Sequence, residues 1–346
     1  MRLVFVTQTV DAGDPILGAT VPKLRALAAR FEEVVVVTDR VREHDLPPNC
    51  RLVTFGARSR ARRGLRYLRI LAPLLLARRR PHAILGHMCP IYVVLAAPLA
   101  KLTRVPLALW YTHPHASSTL RAASAVATLR LTADSGSFPL PAEARAIGHG
   151  IDVDAFACGP ERPERRLDAL ALGRYSPVKG YAPLLRGFRR ALDAGVDLSL
   201  TVHGPALNDA ERRHRRELEL LQDELGLADH VHLHEALPPA EARQRLAAAD
   251  VLVSNTRRGS ADKAVLEACA SCVPALASTW ASLLPERLSF EADDEAALAA
   301  RLGELAALAP AERAQLGRDL RELVAARHSV DSWADAVVAA VREVRD

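Results

Sequence analysis

Ala249-Asp-Val-Leu-Val-Ser-Asn-Thr-Arg-Arg-Gly-Ser-Ala-Asp-Lys-Ala-Val-Leu-Glu-Ala-Cys-Ala270 reads as a strand, a polar loop and a helix. Val251–Val253 is a β-rich apolar run. Ser254–Ala261 is small and polar, and a helix opens near Asp262, with Ser260 or Asp262 as N-cap. Glu267 falls about a turn and a half into that helix, among Val265, Leu266, Ala268 and Ala270. A carboxylate in such surroundings needs a partner, because burying it unpaired costs several kcal/mol. A ribose diol would serve, and so would an arginine in a structural salt bridge.

Upstream, Ala171-Leu-Gly-Arg-Tyr-Ser-Pro-Val-Lys-Gly180 ends a strand at Gly173 and feeds a helix at Gly180. Arg174 and Lys179 flank the loop, and two cations beside a helix N-terminus make a seat for a diphosphate. The same alternation runs through the chain. Strands are expected at Leu3–Val6, Glu33–Thr38, Arg51–Thr54, Ala83–Gly86, Pro106–Trp110 and Thr128–Thr132, with helices at Pro15–Arg30, Gly64–Arg79, Ile91–Leu102 and Ser117–Ala127. After a Gly/Pro/Arg-rich break at 148–166 it restarts, with strands at Asp168–Leu172, Asp197–Val202, Val231–His234, Val251–Ser254 and Pro274–Ala277. The last stretch is helical: Asp294–Ala307, Pro310–Ala326 and Val330–Val344.

Strand–helix alternation argues for an α/β chain with two doubly wound, Rossmann-like domains. The expected bounds are 1–158, completed by a returning helix 328–346, and 159–327. Ligands of such sheets bind outside the carboxyl ends of the strands. Two domains facing each other across a cleft suit an enzyme that joins two substrates.

Net charge is +5, but residues 1–150 hold 21 Lys/Arg against 9 Asp/Glu, and the remainder 25 against 32. No carboxylate lies between Asp45 and Asp134, where 14 Lys/Arg fall. A basic half attracts anions. Nucleic acid is not the expected partner, since aromatics are only 4% of the chain and no recognition motif appears. No GxGxxG follows a strand, which argues against a dinucleotide oxidoreductase. Five scattered cysteines read as reduced thiols of a cytoplasmic protein, and Cys269-Ala-Ser-Cys272 lacks the second ligand pair of a metal site. The first residues are too short an apolar run for a signal peptide, and no run is long enough to span a bilayer.

Together these stretches resemble the family 4 retaining GT-B glycosyltransferases (glycosyl transferases group 1 type). Gly173-Arg174 with Lys179-Gly180 is similar to the family's GR…KG diphosphate site, and His203-Gly204-Pro205 to its G-x-G-P loop. Ala249-Asp250-Val251 with Leu266-Glu267-Ala268 is similar to its AD-V…LEA nucleotide-sugar site, and Gly148-His-Gly-Ile-Asp152 with Phe156 to the segment closing the first domain. Trp110-Tyr-Thr-His113 stands where the family carries a sugar-facing histidine, the loop ending in Gly18 where it carries an acceptor-side turn, and 330–344 where a terminal helix crosses back to the first domain.

The resemblance implies a nucleotide-sugar co-substrate, GDP- or UDP-linked, with no other cofactor and no metal. Arg174 and Lys179 would stabilise the departing diphosphate, Glu267 and His113 would complete the catalytic set, and Gly18, Gly173, Gly204, Ser260, Asp262 and Lys263 would bind donor or acceptor. One departure falls at Gly259, eight positions before Glu267, where the family carries a glutamate with seven residues between the two. Asp262 and Lys263 are the substitutes at hand. Epimerases share the fold, and a non-catalytic nucleotide-sugar-binding protein is the other alternative. The acceptor would be a lipid-linked saccharide or a small metabolite. Arginines 58–80, bracketing Leu65, Leu68, Leu71 and Leu75, are expected to meet the anionic inner face of the membrane or to be solvated.

Overall fold

A computed structural model describes residues 1–14, 17–160, 166–257, 262–280 and 282–344. The chain divides into two compact units, 1–152 with 327–346, and 153–326.

The first unit is built on seven strands: β1 (Arg2–Val10), β2 (Glu33–Val41), β3 (Cys50–Thr54), β4 (Ala83–His87), β5 (Leu107–Trp110), β6 (Leu129–Thr132) and β7 (Arg145–Ala146). They are all parallel, in the order β3-β2-β1-β4-β5-β6-β7. The crossovers run through α1 (Thr20–Ala28), α2 (Arg60–Leu76), α3 (Pro90–Thr103) and α4 (Ser118–Val126). Alternating residues explain the layering. Val4, Val6, Val35 and Val37 pack in one core with Tyr67 and Leu71 of α2, Val93 of α3 and Leu120 of α4. Helix α2 starts before the expected Gly64, because Ser59 caps it by accepting from Arg62 N at 3.3 Å. Helix α1 starts after the expected Pro15: the carbonyl and carboxylate of Asp14 accept from Gly18 N at 2.9 Å and Leu17 N at 2.8 Å, turning the chain first.

The second unit holds β8 (Leu167–Leu172), β9 (Leu198–His203), β10 (Val231–His234), β11 (Val251–Ser254) and β12 (Ala275–Ala277). They are again parallel, in the order β10-β9-β8-β11-β12. Its helices are α5 (Tyr181–Asp193), α6 (Asp209–Glu224), α7 (Pro239–Ala247), α8 (Lys263–Ala270), α9 (Glu295–Ala307) and α10 (Pro310–His328). The division falls at 152/153 rather than 158/159. Arg321 fixes it by donating to Phe156 O at 2.7 Å and Val153 O at 3.2 Å, and to Ala270 O.

The final helix, α11 (Val330–Glu343), returns to the first unit and packs on α1. Arg30 binds Asp335 at 2.6 Å and Asp331 at 3.0 Å. Trp333 is fully buried, edge-on to Trp110 at 6.2 Å. The ammonium of Lys23, itself buried, lies 4.1 Å from the Trp110 ring centre and 5.3 Å from that of Trp333.

The cysteines correct the expectation of reduced thiols. Cys158 and Cys272 form a disulfide with Cα atoms 4.9 Å apart across 114 residues of sequence. Cys272 sits at φ 58°, so the left-handed turn after α8 aims it at the segment entering the unit. Cys269, the other half of the CxxC spacing, is separately buried in α8, and burial pushes its thiol up to about 12.

Candidate active site

The order of the second sheet places its topological switch point between β8 and β11, so the crevice of this unit opens at their carboxyl ends. Backbone packing there demands glycine. A Cβ on Gly204, after β9, would lie 1.8 Å from Gly173 O, and a Cβ on Gly173, after β8, would lie 2.5 Å from Lys179 Cε. The stem of Lys179 therefore lies directly over Gly173. Gly180 takes φ 58° and leads into α5.

The β8 and β11 loops are stitched together. Asn255, 1% exposed, donates to Gly180 O at 2.8 Å and Asp293 Oδ1 at 3.2 Å, and accepts from Asp293 N at 2.9 Å. Arg257 N donates to Val178 O at 2.8 Å, and its side chain pairs with Asp293 at 2.7 Å. Tyr181 OH donates to Gly173 O at 2.9 Å.

Among the described residues, the cations Arg174, Lys179, Arg257 and Lys263 each have a carboxylate. Lys179 Nζ lies 2.8 Å from Asp262 Oδ2, with both side chains largely out of water. The same oxygen accepts from Ser254 Oγ at 2.6 Å and Thr256 Oγ1 at 2.8 Å, while Oδ1 accepts from Ala264 N at 3.3 Å. Burial would raise the Asp262 carboxyl, but the Lys179 charge and these hydrogen bonds outweigh it and hold it below its ordinary value. Asp262 is thus the N-cap of α8, one of the two residues expected, and its carboxylate is turned inward rather than presented to solvent. Arg174, half exposed, lies 3.1 Å from Oε1 of the buried Glu211. The other oxygen of Glu211 accepts from Leu207 N at 2.7 Å. Glu267 pairs with Lys263 at 2.8 Å, one turn back on α8, so its partner is neither buried nor an arginine.

Arg174, Lys179, Gly173, Gly204, Asp262, Lys263 and Glu267 all belong to the second unit. His113 and Gly18 belong to the first: His113 is exposed at the end of β5, with Nδ1 accepting from His115 N at 3.1 Å, and Gly18 closes the turn before α1. Ser260 and Gly259 lie outside the described residues. Among the described residues, no three His, Cys, Asp or Glu side chains gather as metal ligands. The sequence reading missed Glu211 and Asn255. Glu211 had a signal, because Asn208-x-x-Glu211 has capping-box spacing and Asn208 does accept from Glu211 N at 2.9 Å.

Residues 157–291 match the family described as glycosyl transferases group 1. Solved structures align over nearly the whole chain. HepE from Anabaena, in complex with UDP and glucose, has 15% identity and a TM-score of 0.71, covering 99% of this chain and 100% of that one. Sucrose-phosphate synthase from Thermosynechococcus elongatus has 18% identity and a TM-score of 0.72, covering 99% of each. A glycosyltransferase from Rickettsia africae has 11% identity and a TM-score of 0.76, covering 100% and 98%. No curated relative matches the sequence. The chain has the GT-B fold: two parallel doubly wound sheets and a C-terminal helix that returns to the first unit. The match to glycosyl transferases group 1 falls within its second unit.

Proposed function

We propose that this chain is a glycosyltransferase that moves a sugar from a UDP- or GDP-linked donor with retention at the anomeric carbon. One observation carries the reading: Arg174, Lys179 and Glu267 stand on the loops and helix at the β8/β11 switch point, inside the segment matching glycosyl transferases group 1. HepE, solved with UDP-glucose, shares the fold and supports a nucleotide-sugar donor.

The donor diphosphate would lie against Arg174 and Lys179, whose charges stabilise the negative charge that develops as the glycosidic bond breaks. These two cations do the work a metal does elsewhere, and metal independence rests on them. Glu267 would accept from the ribose hydroxyls and give up part of its pairing with Lys263. Asp262 fixes Lys179, and Lys263, 34% exposed, is the side chain of this pair better placed to meet sugar or phosphate. Front-face attack completes the mechanism: the leaving phosphate oxygen takes the acceptor hydroxyl proton as the new C–O bond forms on the face the nucleotide leaves. His113 and the Gly18 turn serve the sugar and the acceptor. The acceptor is a small metabolite or a lipid-linked saccharide. For the latter, the exposed face of α2, with Arg62, Leu65, Arg66, Arg69 and Leu76, supplies contact with an anionic membrane. No helix among the described residues is long and apolar enough to cross one.

Incubation with α-linked UDP- and GDP-hexoses and a panel of acceptors, followed by proton NMR of the product, tests this. An α-linked product is expected. A β-linked product would sink retention, and a changed donor sugar in the absence of acceptor would reveal an epimerase. Binding without turnover would leave a nucleotide-sugar-binding protein, the reading that Gly259 favours.

A further inference from the structure

We infer that Asp262 is the positioning residue of the donor seat: its buried carboxylate fixes the Lys179 ammonium in place before any diphosphate arrives. The inference rests on the donor reading above and gives this chain's own variation at the loop before α8 a task.

The geometry is over-determined at the carboxylate and open at the amine. Asp262 is 6% exposed and anchored at both ends. Its carbonyl accepts from Trp280 Nε1 at 2.9 Å, and its two carboxylate oxygens accept from Lys179, Ser254, Thr256 and Ala264 N. Rotating it away would break all four side-chain bonds and uncap α8. Lys179, in contrast, reaches it as the end of a four-carbon stem laid across Gly173, and stays 17% exposed. An ammonium has three donors, and Asp262 engages one of them in a fixed direction, which orients the others.

Among the described residues, the charged neighbours do not duplicate this role. On the β8 loop, Arg174 is bound to Glu211. On the β11 loop, Arg257 is bound to Asp293. On α8, Lys263 is bound to Glu267, and on α5 the Tyr181 phenol is committed to Gly173 O. Preorganised charge of this kind costs no reorganisation when the leaving group develops.

Asp262→Asn keeps the side-chain shape and removes the charge. The chain has four lysines, Lys23, Lys101, Lys179 and Lys263, so ε-13C-lysine labelling resolves each one, with Lys179→Arg assigning the signal. In the ligand-free protein, the Lys179 Cε is expected to be ordered in the wild type and mobile in Asp262→Asn, while the circular dichroism spectrum and the other three signals hold and the melting temperature falls, since a largely buried ammonium loses its partner. In titration calorimetry with UDP and GDP, Asp262→Asn should weaken binding by about tenfold. In a Lys179→Met background it should change nothing further. A Lys179 Cε equally ordered in both proteins, or losses that simply add in the double variant, would overturn the inference. If the wild type binds neither nucleotide while Lys179 order still follows Asp262, the donor reading fails and the positioning of Lys179 stands.

Discussion

His328 joins the last turn of α10 to the chain's return into the first unit, where its carbonyl accepts from Ile151 N at 2.7 Å. Burial drives its imidazole down from 6.5 to about 4, with Asp134 pulling it up and Arg327 pushing it further down. Between these values the unfolded chain holds a proton that the folded chain does not, so stability rises with pH across the window and is lost as pH falls from 6.5 toward 4. The shift corresponds to about 3 kcal/mol. Resistance of the wild type to urea should therefore fall between pH 7 and pH 4.5, and His328→Gln should lose its own share of that dependence, while His87 and His203, whose imidazoles burial also holds down, keep theirs; an unchanged pH profile in the variant would refute the linkage. The candidate site was legible only in part at this scale. Arg174, Lys179 and Glu267 stood out because two cations flanking a strand-to-helix loop suit a diphosphate, a carboxylate on an apolar helix suits a ribose diol, and both stretches match motifs of the family the sequence resembles. Their partners did not: Lys179 and Asp262 are 83 residues apart in sequence, and spacing carries no information about such a pair. Asp262 could be read as a cap from its neighbours, but the inward turn of its carboxylate depends on Ser254, Thr256 and Trp280 arriving together.

Among the elements, the long periodic ones were legible and the short or capped ends were not. Strand β7 is two residues, Arg145–Ala146, too short for any period. The start of α2 was set by Ser59, whose cap was hidden among arginines. Helix α2 buries Tyr67, Leu71 and Leu75 and turns Arg62, Leu65, Arg66, Arg69 and Leu76 outward, whereas Arg63 is taken up by Asp39 at 3.0 Å. A face of arginines with two exposed leucines should bind phosphatidylglycerol vesicles and not neutral ones, with binding lost at high salt. Replacing Arg62, Arg66 and Arg69 by glutamate should abolish vesicle pelleting without changing turnover of a soluble acceptor. Pelleting unaffected by the triple change would show that α2 is only a solvated helix. The Cys158–Cys272 bond was invisible because scattered cysteines in a long chain do not reveal their pairing. Closing a loop of 114 residues contributes about 4–5 kcal/mol in the chain-entropy view.

For the whole molecule, alternation alone gave two parallel doubly wound sheets, because a run of β-rich segment, helix and β-rich segment has few other ways to bury its apolar faces. Strand order lay beyond it, and strand order is what locates the β8/β11 crevice. The charge division, basic before residue 150 and acidic after it, leaves the proposed diphosphate seat in the acidic half, so the proposal requires affinity from local geometry rather than from the field of the unit. The most direct test of that placement is calorimetric titration of UDP and GDP into the wild type and Arg174→Ala. One nucleotide should bind the wild type, and Arg174→Ala should weaken it by about tenfold or more, the loss of a charge-assisted hydrogen bond to phosphate. Equal affinity in the two proteins, or no binding of either nucleotide to the wild type, would contradict a donor site on the β8 loop.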